Sequence, residues 1–128
     1  MKALLLIAHG SRREASNQEV RELAQRMAGH AGSGFDMVVP AFLELAQPGI
    51  GEGVAQCVRQ GAREIQVVPY FLSAGRHVAQ DIPEELARAA AEHPQARISL
   101  SPYLGTHPEI AALLLGLAGK RMPAPDAA

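Results

Sequence analysis

Three side chains in this sequence have the types and positions that divalent-metal chemistry requires. His9 follows a short apolar run, Glu44 closes a second, and His77 lies just beyond a third. Two imidazoles and one carboxylate from three strand ends form a donor set for a borderline ion such as Co²⁺, Ni²⁺, Fe²⁺ or Zn²⁺. Cys57 is the only cysteine, which excludes both an internal disulfide and thiolate sites of the zinc-finger kind. A donor set without thiolates suits a site that holds a metal and then releases it. Each residue also has a plainer reading. A histidine after a strand is commonly a hydrogen-bonded loop residue. Glu44 can be an exposed charge on a turn, although an acid inside Ala41-Phe42-Leu43-Glu44-Leu45-Ala46 is costly if buried alone.

Other polar residues weigh less. His30 and His93 fall at helix ends, and His107 reads as first-turn surface, though it follows a strand and could rim the same crevice. Gly10-Ser11 could form a phosphate-binding turn of the flavodoxin-like kind, yet His9-Gly10-Ser11-Arg12-Arg13 matches neither the P-loop nor the GxGxxG spacing. A Ser11 nucleophile lacks the G-x-S-x-G elbow.

The elements that must position these residues alternate along the chain. Residues 3–8 form a continuous apolar run suited to a strand buried on both faces. Val20, Leu23, Ala24 and Met27 recur at helical spacing over 14–29, and a second strand runs from Met37 to about Leu43. Pro48 opens the next helix and Gly61 ends it; a third strand spans 65–71. Residues 72–80 read as a loop, with a helix starting at Asp81 as cap and Pro83 in its first turn. A short fourth strand covers 97–100, and Thr106 is expected to cap a last helix with Ile110, Leu113, Leu114 and Leu117 on one face. Four βα units in succession predict an α/β fold, a four-stranded parallel sheet flanked by helices in three layers. Ligands of such folds sit beyond the carboxyl ends of the strands, where His9, Glu44 and His77 converge. One domain is expected over 1–122, with a frayed tail over 123–128.

Composition narrows the partners. The 128 residues are one domain's worth of chain, and 12 basic against 13 acidic side chains give a net charge of −1. Without basic excess or tryptophan, nucleic-acid binding is disfavoured. No segment approaches the ~20 apolar residues of a membrane span. The six-residue run 3–8 is shorter than a secretion-signal core of roughly 7–15 residues. A cytoplasmic protein is expected.

Four motifs, in order, go further than spacing. Ala8-His9-Gly10-Ser11-Arg12, Ala41-Phe42-Leu43-Glu44-Leu45-Ala46-Gln47-Pro48, Val68-Pro69-Tyr70-Phe71-Leu72-Ser73-Ala74-Gly75-Arg76-His77-Val78 and Asp81-Ile82-Pro83 resemble the CbiX/SirB family of sirohydrochlorin chelatases. The likeness runs from Leu4 to about Pro108 and is similar to the family's short form, in which one chelatase half stands alone and pairs as a homodimer. It implies a chelatase-type, flavodoxin-like fold and insertion of a divalent metal into sirohydrochlorin, in cobalamin or siroheme synthesis. By motif position, His9 and His77 would be the metal-binding pair and Glu44 the acid that assists proton removal. Ser11, Arg12, Arg13, Gly75 and Arg76 flank the histidines as substrate-binding residues, the arginines facing a carboxylate-rich macrocycle. The metal, cobalt first with iron or nickel as alternatives, is a substrate, and no further cofactor is implied. Two other classes stay open: a metal or tetrapyrrole carrier without turnover, and a nucleotide-binding module built on the Gly10 turn. Leu104-Gly105-Thr106-His107-Pro108 looks like the family's closing motif, without an assigned role.

Overall fold

The computed structural model describes residues 1–123, apart from the side chain of His77; of the expected tail over 123–128, all but Pro123 lies outside the described residues. The chain runs β1 (Lys2–Ala8), α1 (Glu14–Ala28), β2 (Met37–Phe42), α2 (Ile50–Arg59), β3 (Glu64–Pro69), α3 (Arg76–Glu92), β4 (Arg97–Leu100), a 3₁₀ turn (Leu104–Thr106) and α4 (Ile110–Ala118). The strands form one parallel sheet in the order β2-β1-β3-β4. The order reverses between β1 and β3, so the crevice opens at the carboxyl ends of these two strands.

Burial follows the alternation of side chains along the strands. Leu5 and Ile7 of β1, with Ile65 and Val67 of β3, face Ile50, Val54 and Cys57 of α2 and Ile82, Leu86 and Ala89 of α3. Leu4, Leu6 and Ala8 face Val20 and Ala24 of α1 on the other side. β1 is buried on both faces, which is why it reads as an unbroken apolar run. Pro40 is tolerated because β2 is an edge strand.

Three local expectations are corrected. α3 starts at Arg76 behind Gly75, so Pro83 is interior and Asp81 is no cap; His77 belongs to the first helical turn, and the loop before it ends at Gly75. Val78 packs against the same core as Ile82, Leu86 and Ala89, so the buried stripe extends one turn further back than the proline suggests. α2 starts at Ile50 after Gly49, because Pro48 still offers its carbonyl to the Phe42 N–H, 2.9 Å away. Thr106 does not cap α4: its Oγ1 donates to the Tyr103 carbonyl at 2.6 Å inside the 3₁₀ turn, and Glu109 precedes the helix.

α4 itself is unusual. None of its residues is buried, and Leu113, Leu114, Leu115 and Leu117 are 58%, 57%, 73% and 64% exposed. A helix apolar around its whole circumference needs cover on every side. Beside the α1 face of the sheet, an apolar groove of about 620 Å³ lies open between Leu23 and Met27 of α1, Leu6 and Val68 of the sheet, and Tyr103 and Leu104.

Candidate metal site

The site grows from an extension of the β1–β2 pairing. Beyond the paired Ala8 and Phe42, the Leu43 N–H donates to the Ala8 carbonyl at 3.0 Å and the Glu44 N–H to the His9 carbonyl at 3.1 Å. The turn after β1 and the loop after β2 therefore run side by side. Gly10 makes this approach feasible: its φ is +94°, and a β-carbon there would stand 1.7 Å from the Glu44 carbonyl oxygen. Leu45, directly after Glu44, holds a left-handed φ of 64°. For a non-glycine residue that conformation costs on the order of 1 kcal/mol, so the fold imposes this turn against local preference.

These constraints bring two side chains together. His9 Nε2 lies 3.1 Å from Glu44 Oε1, and the His9 and Phe71 rings form a T-shaped pair with centroids 6.4 Å apart. Both partners are more than half exposed, at 55% and 59%, so the pair faces solvent and is open to a ligand. An ionised carboxylate only accepts, so a hydrogen bond across this pair is donated by Nε2. Donor atoms about 3 Å apart match two ligands on one ion at right angles with bonds of ~2.1 Å. Among the described residues no group of three or more His, Cys, Asp or Glu forms a metal cluster.

The third strand leads, through residues 70–75, to the helix that carries His77. The Tyr70 N–H donates to the Ile7 carbonyl at 2.7 Å, and the Gly105 N–H donates to the Phe71 carbonyl at 2.9 Å. A β-carbon on Gly105 would stand 1.7 Å from the Leu72 carbonyl oxygen, so this glycine lets the segment after β4 press onto the loop leading to α3. That close approach gives Gly105 of the Leu104–Pro108 motif a packing role. Gly75 precedes α3 and Arg76 opens it; the His77 side chain is outside the description.

Of the other site residues, Arg12, Arg13 and Arg76 are exposed and make no ion pair among the described residues. Ser11 is held within its turn: its N–H donates to Asn17 Oδ1 at 2.9 Å, and its Oγ accepts the Arg13 N–H at 3.0 Å. Two amides that a phosphate would need are thus occupied by the chain itself, which weakens the nucleotide-binding reading. His107 lines the apolar groove, and its Nδ1 accepts the Glu109 N–H at 3.0 Å. Asn17, 2% exposed, went unnoticed in the sequence, although it falls with Val20 and Ala24 on the buried stripe of α1. A polar residue on an apolar stripe was the available signal.

An open parallel sheet with a histidine–carboxylate pair at the carboxyl ends of β1 and β2, beside its topological switch point, defines a chelatase-like α/β protein. The chain matches the CbiX family model over residues 3–118 and belongs to that family. It is 37% identical to the sirohydrochlorin ferrochelatase of Bacillus subtilis over 109 residues, 85% of this chain and 41% of that protein. It is 36% identical to the sirohydrochlorin cobaltochelatase of Methanocaldococcus jannaschii over 93 residues, 73% of this chain and 64% of that one. The fold superposes on the sirohydrochlorin chelatase SirB from Bacillus subtilis subspecies spizizenii, solved in complex with cobalt, with a TM-score of 0.80 and 36% identity. That match covers 90% of this chain and 48% of SirB. The chain thus spans less than half of the Bacillus proteins and about two thirds of the archaeal one.

Proposed function

We propose that this protein inserts a divalent metal ion into sirohydrochlorin, with His9 and His77 holding the ion and Glu44 assisting removal of the pyrrole protons. The observation that carries this reading is the 3.1 Å pairing of His9 Nε2 with Glu44 Oε1 at the end of β1. It is supported by family membership and by relatives named as chelatases of this substrate.

Insertion requires the ion to shed water, the macrocycle to bend, and two N–H protons to leave. A few imidazole and carboxylate donors hold the ion without binding it too tightly to transfer. As the ion passes to the tetrapyrrole, the Glu44 carboxylate and the freed His9 Nε2 are two adjacent bases, one for each of the two pyrrole protons, which then pass to solvent. Ion and macrocycle in one crevice supply proximity and orientation. Arg12, Arg13 and Arg76, exposed and without ion pairs among the described residues, suit the substrate's carboxylates, with Ser11 and Gly75 shaping the backbone beside them. Cobalt is the first candidate metal, then iron and nickel, since the donor set accepts all three.

A homodimer belongs to the same reading. The chain spans 48% of SirB, and the exposed leucines of α4 and the open groove beside α1 are surfaces that a second copy would cover. Among the described residues no helix is long and apolar enough to cross a membrane.

Anaerobic absorbance of sirohydrochlorin with Co²⁺, Fe²⁺ or Ni²⁺ and catalytic amounts of protein tests the function. Multiple turnovers above the spontaneous rate are expected, and their ratio ranks the metals. Absorbance changes that stop at one equivalent per site would establish the carrier reading instead.

A further inference from the structure

The two loops of the site are tied not only to each other but also to α1. Asn17 and Arg21, one turn apart on that helix, reach one loop each. The Ser11 N–H donates to Asn17 Oδ1 at 2.9 Å, and Asn17 Nδ2 donates to the Ser11 carbonyl at 2.8 Å and to Glu14 Oε2 at 3.3 Å. This fixes the amide orientation, since only the oxygen can accept and only the nitrogen can donate. Arg21 Nη2 donates to the Gln47 carbonyl, three residues after Glu44, at 3.4 Å, while Nη1 donates to Glu14 and the guanidinium lies 5.3 Å from the centre of the Phe42 ring. Glu14 joins the two, accepting from both Asn17 and Arg21. The hydrogen bonds from Arg21 and then Asn17 hold its carboxyl below the ordinary carboxylate value.

The chain Ser11–Asn17–Glu14–Arg21–Gln47 therefore spans from the His9 turn to the Glu44 loop. None of these side chains is among the proposed metal donors, and Asn17 is buried. A buried amide with two of its three hydrogen bonds directed at one turn serves the geometry of that turn. We infer that Asn17, seconded by Arg21, is a positioning residue that sets the spacing of the His9 and Glu44 donor atoms from the first turns of α1. This inference rests on the proposed role of that pair in handling the metal.

The test is a double-mutant cycle read in two ways: Co²⁺ binding to the protein alone, by titration calorimetry, and kcat/KM for insertion. Asn17→Ala is expected to lower both by about 10–100-fold, the range for removing a group that orients a metal ligand. In the Glu44→Ala background, where the pair is gone, the same change is expected to cost little more, because Asn17 acts through the pair. Arg21→Gln should give a smaller loss, and Asn17→Asp, which keeps the acceptor for the Ser11 N–H, an intermediate one. Unchanged binding and turnover in folded Asn17→Ala, or a full multiplicative loss in the double variant, would overturn the inference. If Asn17→Ala does not fold, Arg21→Gln and Asn17→Asp decide by the same cycle. If the wild-type protein binds Co²⁺ without turnover, only the chelatase reading fails, and the binding cycle still decides. If it binds no Co²⁺, amide exchange at Glu44 decides: faster exchange in Asn17→Asp than in wild type supports positioning, and equal exchange refutes it.

Discussion

Gly10 and Glu44 meet backbone against backbone, so closely that a β-carbon on Gly10 would stand 1.7 Å from the Glu44 carbonyl oxygen. This contact, with the hydrogen bond from the Glu44 N–H to the His9 carbonyl, sets the separation of the two loops. Gly10→Ala must move one loop or leave its φ of +94°. The expected outcome is a destabilisation of about 2 kcal/mol or more, seen in urea unfolding, together with loss of Co²⁺ binding. Wild-type stability and affinity in Gly10→Ala would contradict this geometry.

The donors themselves should separate by role. His9→Ala and His77→Ala are each expected to reduce insertion to near the spontaneous rate while the far-UV circular dichroism stays native. Glu44→Gln preserves size and hydrogen bonding to His9 but cannot take up a proton in the same way, so turnover should fall more than metal affinity. Full activity in either histidine variant would remove that residue from the site.

The exposed leucines of α4 give a prediction about assembly. Light scattering at micromolar concentration should return the mass of two chains, and Leu114→Glu with Leu117→Glu should shift it to one. A monomeric, fully active wild-type protein would refute the homodimer.

Cys57 is fully buried against the sheet, and burial raises its thiol to about 11. The folded state keeps this proton where the unfolded chain has begun to lose it. Its contribution is therefore complete below about 9 and is lost as pH rises through 11. Stability of the wild type should fall over that window relative to Cys57→Ala. Iodoacetamide at pH 8 should label Cys57 only under denaturing conditions; rapid labelling of the native protein would show that the α2 core opens.

Regular elements were legible where local pattern and tertiary burial agree. β1 is apolar on both faces because it is central, and β4 coincides with its short run at 97–100. α3 was misplaced because Pro83 looks like a first-turn residue, while the helix tolerates it inside and Val78 extends the stripe backward. α4 misled in another way: its apolar spacing is genuine, yet no described part of its own chain buries it.

The sequence by itself determined which groups are available: the histidines and the acid at strand ends, the absence of further thiols, and the alternation that makes a parallel sheet. These are matters of residue type and short-range period. Only the tertiary structure decided that His9 and Glu44, 35 positions apart, stand 3.1 Å from one another. Strand order, the register of Ala8 with Phe42, and the close approaches at Gly10 and Gly105 are long-range packing outcomes. Asn17 belongs to the same class, because an amide's partners are chosen by what the fold leaves unsatisfied, and that is set only when the turn and the helix have come together.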